Sequence, residues 1–287
     1  MIERIRWSSG GESIEFEIGS QALWIFDPAD FSHTVSGRFS DMQPAGMDGK
    51  VTTSARLDGA YTRFDAFLNA PAISNAANSV YDVMEKQSRR LYRLFCPSRA
   101  GRLIVEQNGR QYAIEGYPAS VPIAGKRVSG TATFTVELNH DAPAFSILPE
   151  HKRDLFSKRS SAYLVNCLPM RLGTISSSGY IINDTDIASP VSLTFSGQMK
   201  NPMVTNLATK EYMAFDVEMN SGDELAVTTR AGQKKVTLNG IDASGRFAAG
   251  SSYLLLAPGA AQLSFSAQHS GLDAKVLLSY NSMVLGV

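Results

Sequence analysis

The stretch YIINDTDIASPVSLTFSGQMKNPMVTNL, residues 180–207, contains a strand, a polar turn and a second strand. From Val191 to Ser196, apolar residues alternate with hydroxyl residues, which is the pattern of a strand with one buried face. The turn before this strand is NDTD at residues 183–186, and Gly197 and Pro202 interrupt the pattern after it. Because the stretch holds no nucleophile, acid–base pair or ligand cluster, it predicts a structural scaffold.

The alternation continues towards the end of the chain without a helical period. Turn sequences, such as NSGD at residues 220–223 and NG at residues 239–240, separate the alternating segments. Short strands spaced roughly 8 to 14 residues apart predict a β-sandwich or jelly roll. The alternating apolar residues are Met213, Phe215 and Val217; Leu225 and Val227; Val236 and Leu238; Leu254 and Leu256; Leu263 and Phe265; and Val276, Leu278 and Tyr280.

The first half also predicts strands, over residues 23–26, 51–57, 61–68, 103–106, 111–117 and 131–138. The last of these has the clearest alternation, with Ala132, Phe134, Val136 and Leu138 on one face. Three dipeptides are typical of turns between strands, namely Asp48-Gly49, Asp58-Gly59 and Asn108-Gly109.

One segment of the first half has a helical period. Between Ser74 and Phe95, apolar residues recur at three- and four-residue steps, which predicts one long helix over about residues 75–95. Ser74 or Asn75 is the predicted N-cap, and Pro97 stops the helix. One face of the predicted helix is basic. A basic helix face is usually solvated or paired with carboxylates, and the alternative is a contact between subunits. The basic stripe on this face is Lys86, Arg89, Arg90 and Arg93.

The two halves meet in a charged segment, LPEHKRDLFSKRSSAY at residues 148–163, which shows no sustained period. We therefore expect two domains, over residues 1–148 and 149–287, in a mainly β chain with a single long helix.

Composition excludes several classes of protein. The chain has 27 Lys and Arg against 27 Asp and Glu, whereas a dedicated nucleic-acid-binding protein usually has a basic excess. Two cysteines, Cys96 and Cys167, are too few for a disulfide framework and are expected to be reduced thiols. The first residues lack the apolar core of a signal peptide, and no apolar run is long enough for a membrane helix. We expect the chain to fold in a cytoplasm.

No pattern of catalytic or ligand residues emerges from the sequence. There is no nucleophile elbow, phosphate-binding loop or metal-ligand spacing, so no catalytic, cofactor-binding or metal site is predicted. His140-Asp141 is interpreted as turn polarity. Two alternatives stay open: an enzyme that hydrolyses cell walls, for which no carboxylate pair is found, and a carbohydrate-binding adhesion module. The tyrosines of the second half available to a sugar are Tyr163, Tyr180, Tyr212, Tyr253 and Tyr280.

The order of these strand and turn sequences resembles the distal tail protein (Dit) family of siphophages and prophages. The resemblance covers nearly the entire chain and rests on ordered strand and turn signatures. In the first half these are the Asp48-Gly49 turn, the strand over residues 63–68, the single helix, RQY at residues 110–112 and the strand that ends on DAP at residues 141–143. In the second half they are IIND, SPVSLTFSG, NPMVTN, GDEL, KVTLNG and LAPG, in that order.

The resemblance implies a structural virion protein of the tail baseplate, assembled in the host cytoplasm. It implies an N-terminal β-barrel-like domain with a flanking helix that packs as a homohexameric ring, and a C-terminal galectin-like β-sandwich outside the ring. The implied partners are the tail tube protein, the tail-tip protein and a receptor-binding or other baseplate protein. DNA is expected only to pass through the channel, without specific binding, and no membrane insertion is expected.

Overall fold

A computed structural model of the protein describes residues 1–43, 48–72, 79–128, 130–157, 175–230, 232–271 and 273–287. The chain divides into two compact units, one formed by Met1–Leu148 with Val284–Val287 and the other by Pro149–Met283. Strands dominate both units, so the prediction of a mainly β chain is confirmed.

The described residues of the first unit form one α-helix and a series of strands. The helix, α1, spans Val80–Leu94. The strands in chain order are β1 (Ile2–Ser9), β2 (Glu12–Glu17), β3 (Trp24–Phe26), β4 (Ser32–Met42), β5 (Val51–Asn69), β6 (Gly101–Gln107), β7 (Arg110–Pro118), β8 (Ala124–Val128), β9 (Thr131–His140) and β10 (Phe145–Leu148).

Seven strands of this unit close into a barrel. Their order is β7–β6–β1–β2–β3–β5–β9, and β9 pairs back with β7 where Tyr117 lies opposite Asn139. The pairings are antiparallel, except that β2 runs parallel to β3 where Glu17 meets Ile25. Closure satisfies the backbone groups that an open sheet would leave at its edges. The barrel also accounts for the alternation in β9, because Phe134 and the other predicted apolar residues of that strand are buried inside.

Helix α1 is fixed to the barrel by aromatic packing and one buried hydrogen bond. The Trp7 indole Nε1 donates to the carbonyl of Leu94 at 3.0 Å, and the Trp7 ring stacks on Phe95 with centroids 5.5 Å apart. The Ser79 hydroxyl accepts from the backbone N–H of Asp82 at 3.2 Å and is therefore the N-cap. The predicted caps Ser74 and Asn75 lie outside the described residues.

Asp58 and Gly59 do not form the predicted turn, because β5 runs through them from Val51 to Asn69. A Cβ atom at Gly59 would collide with the carbonyl oxygen of His140 on β9, so this glycine permits a close approach between strands. The prediction was wrong because an Asp-Gly dipeptide can form a turn or can place a glycine where two strands approach closely. The sequence also did not reveal β4, whose side chains show little apolar alternation.

In the second unit the described residues form strands and one short 3₁₀ turn, Ser244–Arg246. The strands are β11 (His151–Ser157), β12 (Ile175–Asn183), β13 (Ser189–Ser196), β14 (Met199–Lys200), β15 (Met203–Asn206), β16 (Tyr212–Ala214), β17 (Glu218–Met219), β18 (Glu224–Thr228), β19 (Lys235–Leu238), β20 (Ile241–Asp242), β21 (Leu255–Leu256), β22 (Gly259–Ala267), β23 (His269–Ser270) and β24 (Lys275–Tyr280), and β25 (Met283–Val284) follows. Strand β25 ends in the first unit, to which Val284 belongs, and it pairs with β10 in that unit's sheet.

The second unit is a sandwich of antiparallel sheets. One sheet has the order β11–β24–β13–β18–β19–β20, and a second has the order β12–β22–β15–β16. Phe195 of the first sheet meets Phe265 of the second at 6.2 Å between ring centroids, which places the core between them. Strand β11 corrects one prediction: the charged segment with no sustained period contains a strand that pairs with β24. Charged residues occur there because β11 lies at the edge of its sheet.

The segment first described, residues 180–207, joins these two sheets. Val191, Leu193 and Phe195 of β13 are buried as predicted. Asn183 ends β12 fully buried, and its side-chain amide donates to the carbonyl of Leu256 at 2.7 Å. Its side-chain oxygen accepts from the Ser189 hydroxyl at 3.2 Å. The two buried polar residues that flank the turn are therefore paired, as a buried amide requires, while Asp184 and Asp186 of the turn are exposed.

Candidate assembly surfaces

A two-stranded arm leaves the barrel beyond Ala60. We define the arm as residues 35–42 of β4 and 51–58 of β5, which pair with each other and, within the described parts of the chain, with no other strand. Apart from Val35 and Ser54, every residue of the arm is exposed. An isolated two-stranded ribbon is marginally stable in water, and its open edges can pair with another strand. The arm therefore has the properties of a segment that packs against a partner.

One face of the arm is apolar. Phe39 is 64% exposed and Leu57 is 48% exposed, and both lie on this face because Leu57 is opposite Gly37, two residues before Phe39. The Phe39 ring folds over Gly37, where a Cβ atom would come within 3.0 Å of it. Glycine at this position thus lets the aromatic ring lie flat along the arm, where another molecule can cover it.

The other face of the arm is basic. Arg38 and Arg56 are directly opposite each other across the two strands, and neither has a carboxylate partner among the described residues. Like charges at opposed positions destabilise a strand pair. Because this arrangement costs the free chain stability, it favours an anionic partner on this face.

A second exposed apolar surface lies at the β7–β8 connection. Tyr117, Val121 and Ile123 are 43%, 38% and 81% exposed, and we call these three residues the β8 patch. Strand β8 pairs with β9 on one side and, in the described part of the chain, has no strand on the other. The patch therefore combines apolar side chains with a free strand edge, which are the two features that an incoming strand requires.

The basic stripe lies on α1 but has partners within the chain. Arg89 pairs with Glu85 at 2.6 Å, Arg90 donates to the carbonyl of Ser13 at 2.7 Å, and Arg93 approaches Glu12 at 3.9 Å. The three arginines thus make the intramolecular contacts that a helix surface usually makes. Lys86 is exposed and has no carboxylate partner in the described residues, so it is the stripe member available to another molecule.

The described residues contain no group of three or more His, Cys, Asp or Glu that could hold a metal ion. Of the tyrosines considered for sugar binding, Tyr280 is buried, and its hydroxyl donates to the carbonyl of Ile182 at 3.3 Å. Tyr253 stacks on Phe247, whereas Tyr180 is 67% exposed. Tyr163 and Cys167 lie outside the described residues, and Cys96 is a free thiol.

In the described residues, no helix combines the length and apolar character needed to cross a bilayer.

Comparison with known proteins agrees with this architecture. Residues 184–282 match the family model SPP1_Dit, described as a siphovirus-type tail component, C-terminal domain. A comparison with curated proteins found no match. The resemblance to the distal tail proteins is therefore confirmed in residues 184–282, which match a siphovirus-type tail component domain.

Solved structures extend the similarity to both units. The chain matches the crystal structure of SPP1 Dit (gp 19.1), described as a paradigm of the hub adsorption apparatus in phages that infect Gram-positive bacteria, with a TM-score of 0.64 at 13% identity, over 97% of this chain and 98% of that chain. It also matches the phage P2 baseplate in its activated conformation with Ca, with a TM-score of 0.46 at 11% identity, over 97% of this chain and 98% of that chain. At these identities the match to SPP1 Dit shows a shared fold.

Proposed function

We propose that this tail component of the distal tail type is a hub of the phage baseplate, in which six copies form a ring between the tail tube and the tail tip. The ring is a structural part of the virion and performs no catalysis. The family match of residues 184–282 and the shared fold with a hub protein support this role.

The arm is the observation that carries the proposal. It places Phe39, Leu57 and two open strand edges in solvent, where they do not stabilise a single chain. A second copy supplies the missing cover. In our proposal the apolar face of the arm packs on the β8 patch of the next copy, beside its free β8 edge. Since arm and patch are different surfaces, the contact is heterologous, and repetition by a fixed rotation closes a ring.

The second unit has a separate task in this proposal. The sandwich buries its own apolar residues in a core between two sheets, so it does not need a neighbouring copy to fold. It is therefore suited to lie outside the ring as the galectin-like domain that docks a receptor-binding or other baseplate protein.

The mass of the assembly tests the hub. We expect light scattering on the purified chain to give a species six times the 31.1 kDa mass of one chain, or, where tail tube protein is needed for assembly, a complex that contains six copies of the chain. The mass should return to that of one chain on dilution, because the proposed interface is noncovalent. A chain that stays monomeric at high concentration in the presence of tube protein contradicts the proposal.

We also propose that the basic stripe contacts a neighbouring subunit through its unpaired end. Charge reversal by Lys86→Glu is expected to weaken assembly about 3- to 10-fold, because an exposed ion pair contributes about 1 kcal/mol. The matched control is Arg89→Glu, since Arg89 already pairs with Glu85 of its own helix. Sedimentation at several salt concentrations measures both. Equal effects of the two variants, or none for Lys86→Glu, would exclude this contact.

A further inference from the structure

Two histidines share one hydroxyl where the arm joins the barrel. Thr62 of β5 is fully buried, and its Oγ1 lies 2.9 Å from His33 Nδ1 on β4 and 2.9 Å from His140 Nε2 on β9. We call His33, Thr62 and His140 the root triad. Because it connects the last strand pairings before the arm, any change in its hydrogen bonds acts on the attachment of the arm.

His140 is closely packed by the strands on both sides of β9. This residue is 3% exposed, and its Nδ1 lies 3.0 Å from the carbonyl of Glu115 on β7. A Cβ atom at Gly116 would collide with that same Nδ1 atom, and one at Gly59 would collide with the carbonyl of His140. Gly116 on β7 therefore makes room for the imidazole and Gly59 on β5 for the backbone of His140, so this residue is closely packed from both strands that flank β9.

The hydrogen bonds of the neutral triad have one consistent direction. A carbonyl can only accept, so His140 Nδ1 carries the hydrogen and donates to Glu115. His140 Nε2 is then an acceptor and takes the hydrogen of the Thr62 hydroxyl, whose oxygen accepts from His33 Nδ1. At the other end of this series, His33 Nε2 is buried and makes no hydrogen bond of good geometry among the described residues, and the Pro143 carbonyl is the acceptor near this ring.

The two imidazoles differ in how they accept a proton. A proton on His33 goes to the free Nε2 and leaves the direction of the other bonds unchanged. A proton on His140 goes to Nε2, which then no longer accepts from Thr62. The Thr62 hydrogen then turns to His33 Nδ1, whose own hydrogen moves to Nε2, so the direction of the hydrogen bonds reverses; when both rings are protonated, with centroids 6.1 Å apart, they also repel each other. Protonation of His140 therefore reverses the hydrogen bonds of the triad and places a positive charge on a buried ring.

The charged groups around the triad offer His140 little compensation. Glu115 contacts the ring through its carbonyl, and Phe145 packs against His33 at 4.5 Å between centroids. The titratable and charged groups that neighbour the triad along the surrounding elements are His33 on β4, Tyr61 and Arg63 on β5, Glu115 and Tyr117 on β7, Glu137 on β9 and Asp141 just after β9. Burial, and then His33, lower the pKa of His140, which lies at about 4, while the Glu115 carbonyl and Asp141 oppose them. Burial also lowers the pKa of His33, opposed by the Pro143 carbonyl.

We propose that the root triad is an acid-sensitive joint: protonation of His140 opens the strand pairings at the base of the arm and frees the arm while the rest of the barrel stays paired. The sign follows from linkage. An unfolded histidine titrates near pH 6.5, so the stabilisation by neutral His140 is complete above that pH and is lost as pH falls towards about 4. This property belongs to the single chain and does not depend on ring formation.

Hydrogen exchange of the full chain tests the joint. Between about pH 6 and pH 4, after correction for intrinsic rates, exchange in residues 33–42 and 51–62 is expected to rise at least about tenfold, while residues 1–17 keep their protection. His140→Gln should abolish this rise, since an amide can donate to Glu115 and accept from Thr62 but does not titrate. The matched control is His269→Gln, which changes an exposed histidine of the second unit and should behave as the wild type.

The main readout of a second measurement uses the wild-type chain, so it does not depend on whether a variant folds. In the wild-type chain with ¹³C-labelled histidine, one imidazole should titrate at about pH 4 together with the rise in exchange, and His33→Gln should move that titration upwards because the neighbouring charge is gone. The proposal is overturned if the arm and the whole barrel open together, or if His140 stays neutral through the opening.

Discussion

Replacement of Phe39 and Leu57 by serine is expected to abolish the ring while the single chain remains folded. Both side chains are exposed in the free chain, so their loss costs it little: we expect the free energy of unfolding to change by less than about 0.5 kcal/mol. In the proposed ring the next copy would cover them, and each buried Phe or Leu side chain would contribute about 1.5–3 kcal/mol. The double variant separates assembly from folding.

The expected size of this effect is large. Loss of both contacts removes about 3–6 kcal/mol at each interface, which raises the dissociation constant by on the order of a hundredfold or more. Light scattering should then find the 31.1 kDa chain at concentrations at which the wild type is a ring. Circular dichroism on the same samples establishes that the strands are intact.

A matched control comes from the second unit. Tyr180 and Ile182 are also an exposed aromatic and an exposed aliphatic side chain two residues apart, at 67% and 71% exposure. Tyr180→Ser with Ile182→Ser should leave the ring unchanged. Disruption by both pairs would indicate a general effect of lost surface apolarity, and a ring that survives the arm variant would remove the arm from the interface.

Trp7→Ala is expected to destabilise the first unit by about 3–5 kcal/mol. The side chain is fully buried, stacks on Phe95 and supplies the hydrogen for the carbonyl of Leu94 at the end of α1. Removal of a buried aromatic ring leaves a cavity and, here, an unpaired carbonyl as well. Urea unfolding followed by the fluorescence of Trp24 measures the effect, because both tryptophans of the chain lie in the first unit.

Trp7→Phe divides this loss into its two parts. It keeps an aromatic ring against Phe95 but removes the indole N–H, so we expect a loss of about 1–3 kcal/mol. Tyr81→Ala, which removes an aromatic ring that is 81% exposed on α1, should change stability by less than about 0.5 kcal/mol. If Trp7→Ala is no more harmful than Tyr81→Ala, α1 is not held to the barrel by this residue.

Strand prediction succeeded where one face of a strand is buried. In β9 and β13 the apolar residues alternate because the pleat sends successive side chains to opposite faces, and those residues are buried. Strand β4 and the outer part of β5 lie in solvent on both faces, so burial imposes no pattern there. The β4 half of the arm, on which the proposed assembly depends, was therefore missed, whereas residues 51–57 of the β5 half were predicted as a strand.

The predicted contact residues illustrate a second limit. Spacing along a helix places Lys86, Arg89, Arg90 and Arg93 on one face. It does not tell which of them meet a carboxylate or carbonyl from β2 or its turn. In the structure Arg90 reaches Ser13 and Arg93 reaches Glu12, residues more than 70 positions away in the chain.

The sequence by itself determined the fold class, the sandwich core and the single helix, because side-chain periodicity and turn chemistry are local properties. Only the tertiary structure decided that β9 pairs back with β7, that Asp58 and Gly59 continue a strand, and that His140 is buried beside Thr62. Each of these depends on residues distant in the chain that come within hydrogen-bonding or packing distance. No local pattern predicts such a contact, because the sequence around a glycine or a histidine is the same whether that residue lies in a turn or packs against a distant strand.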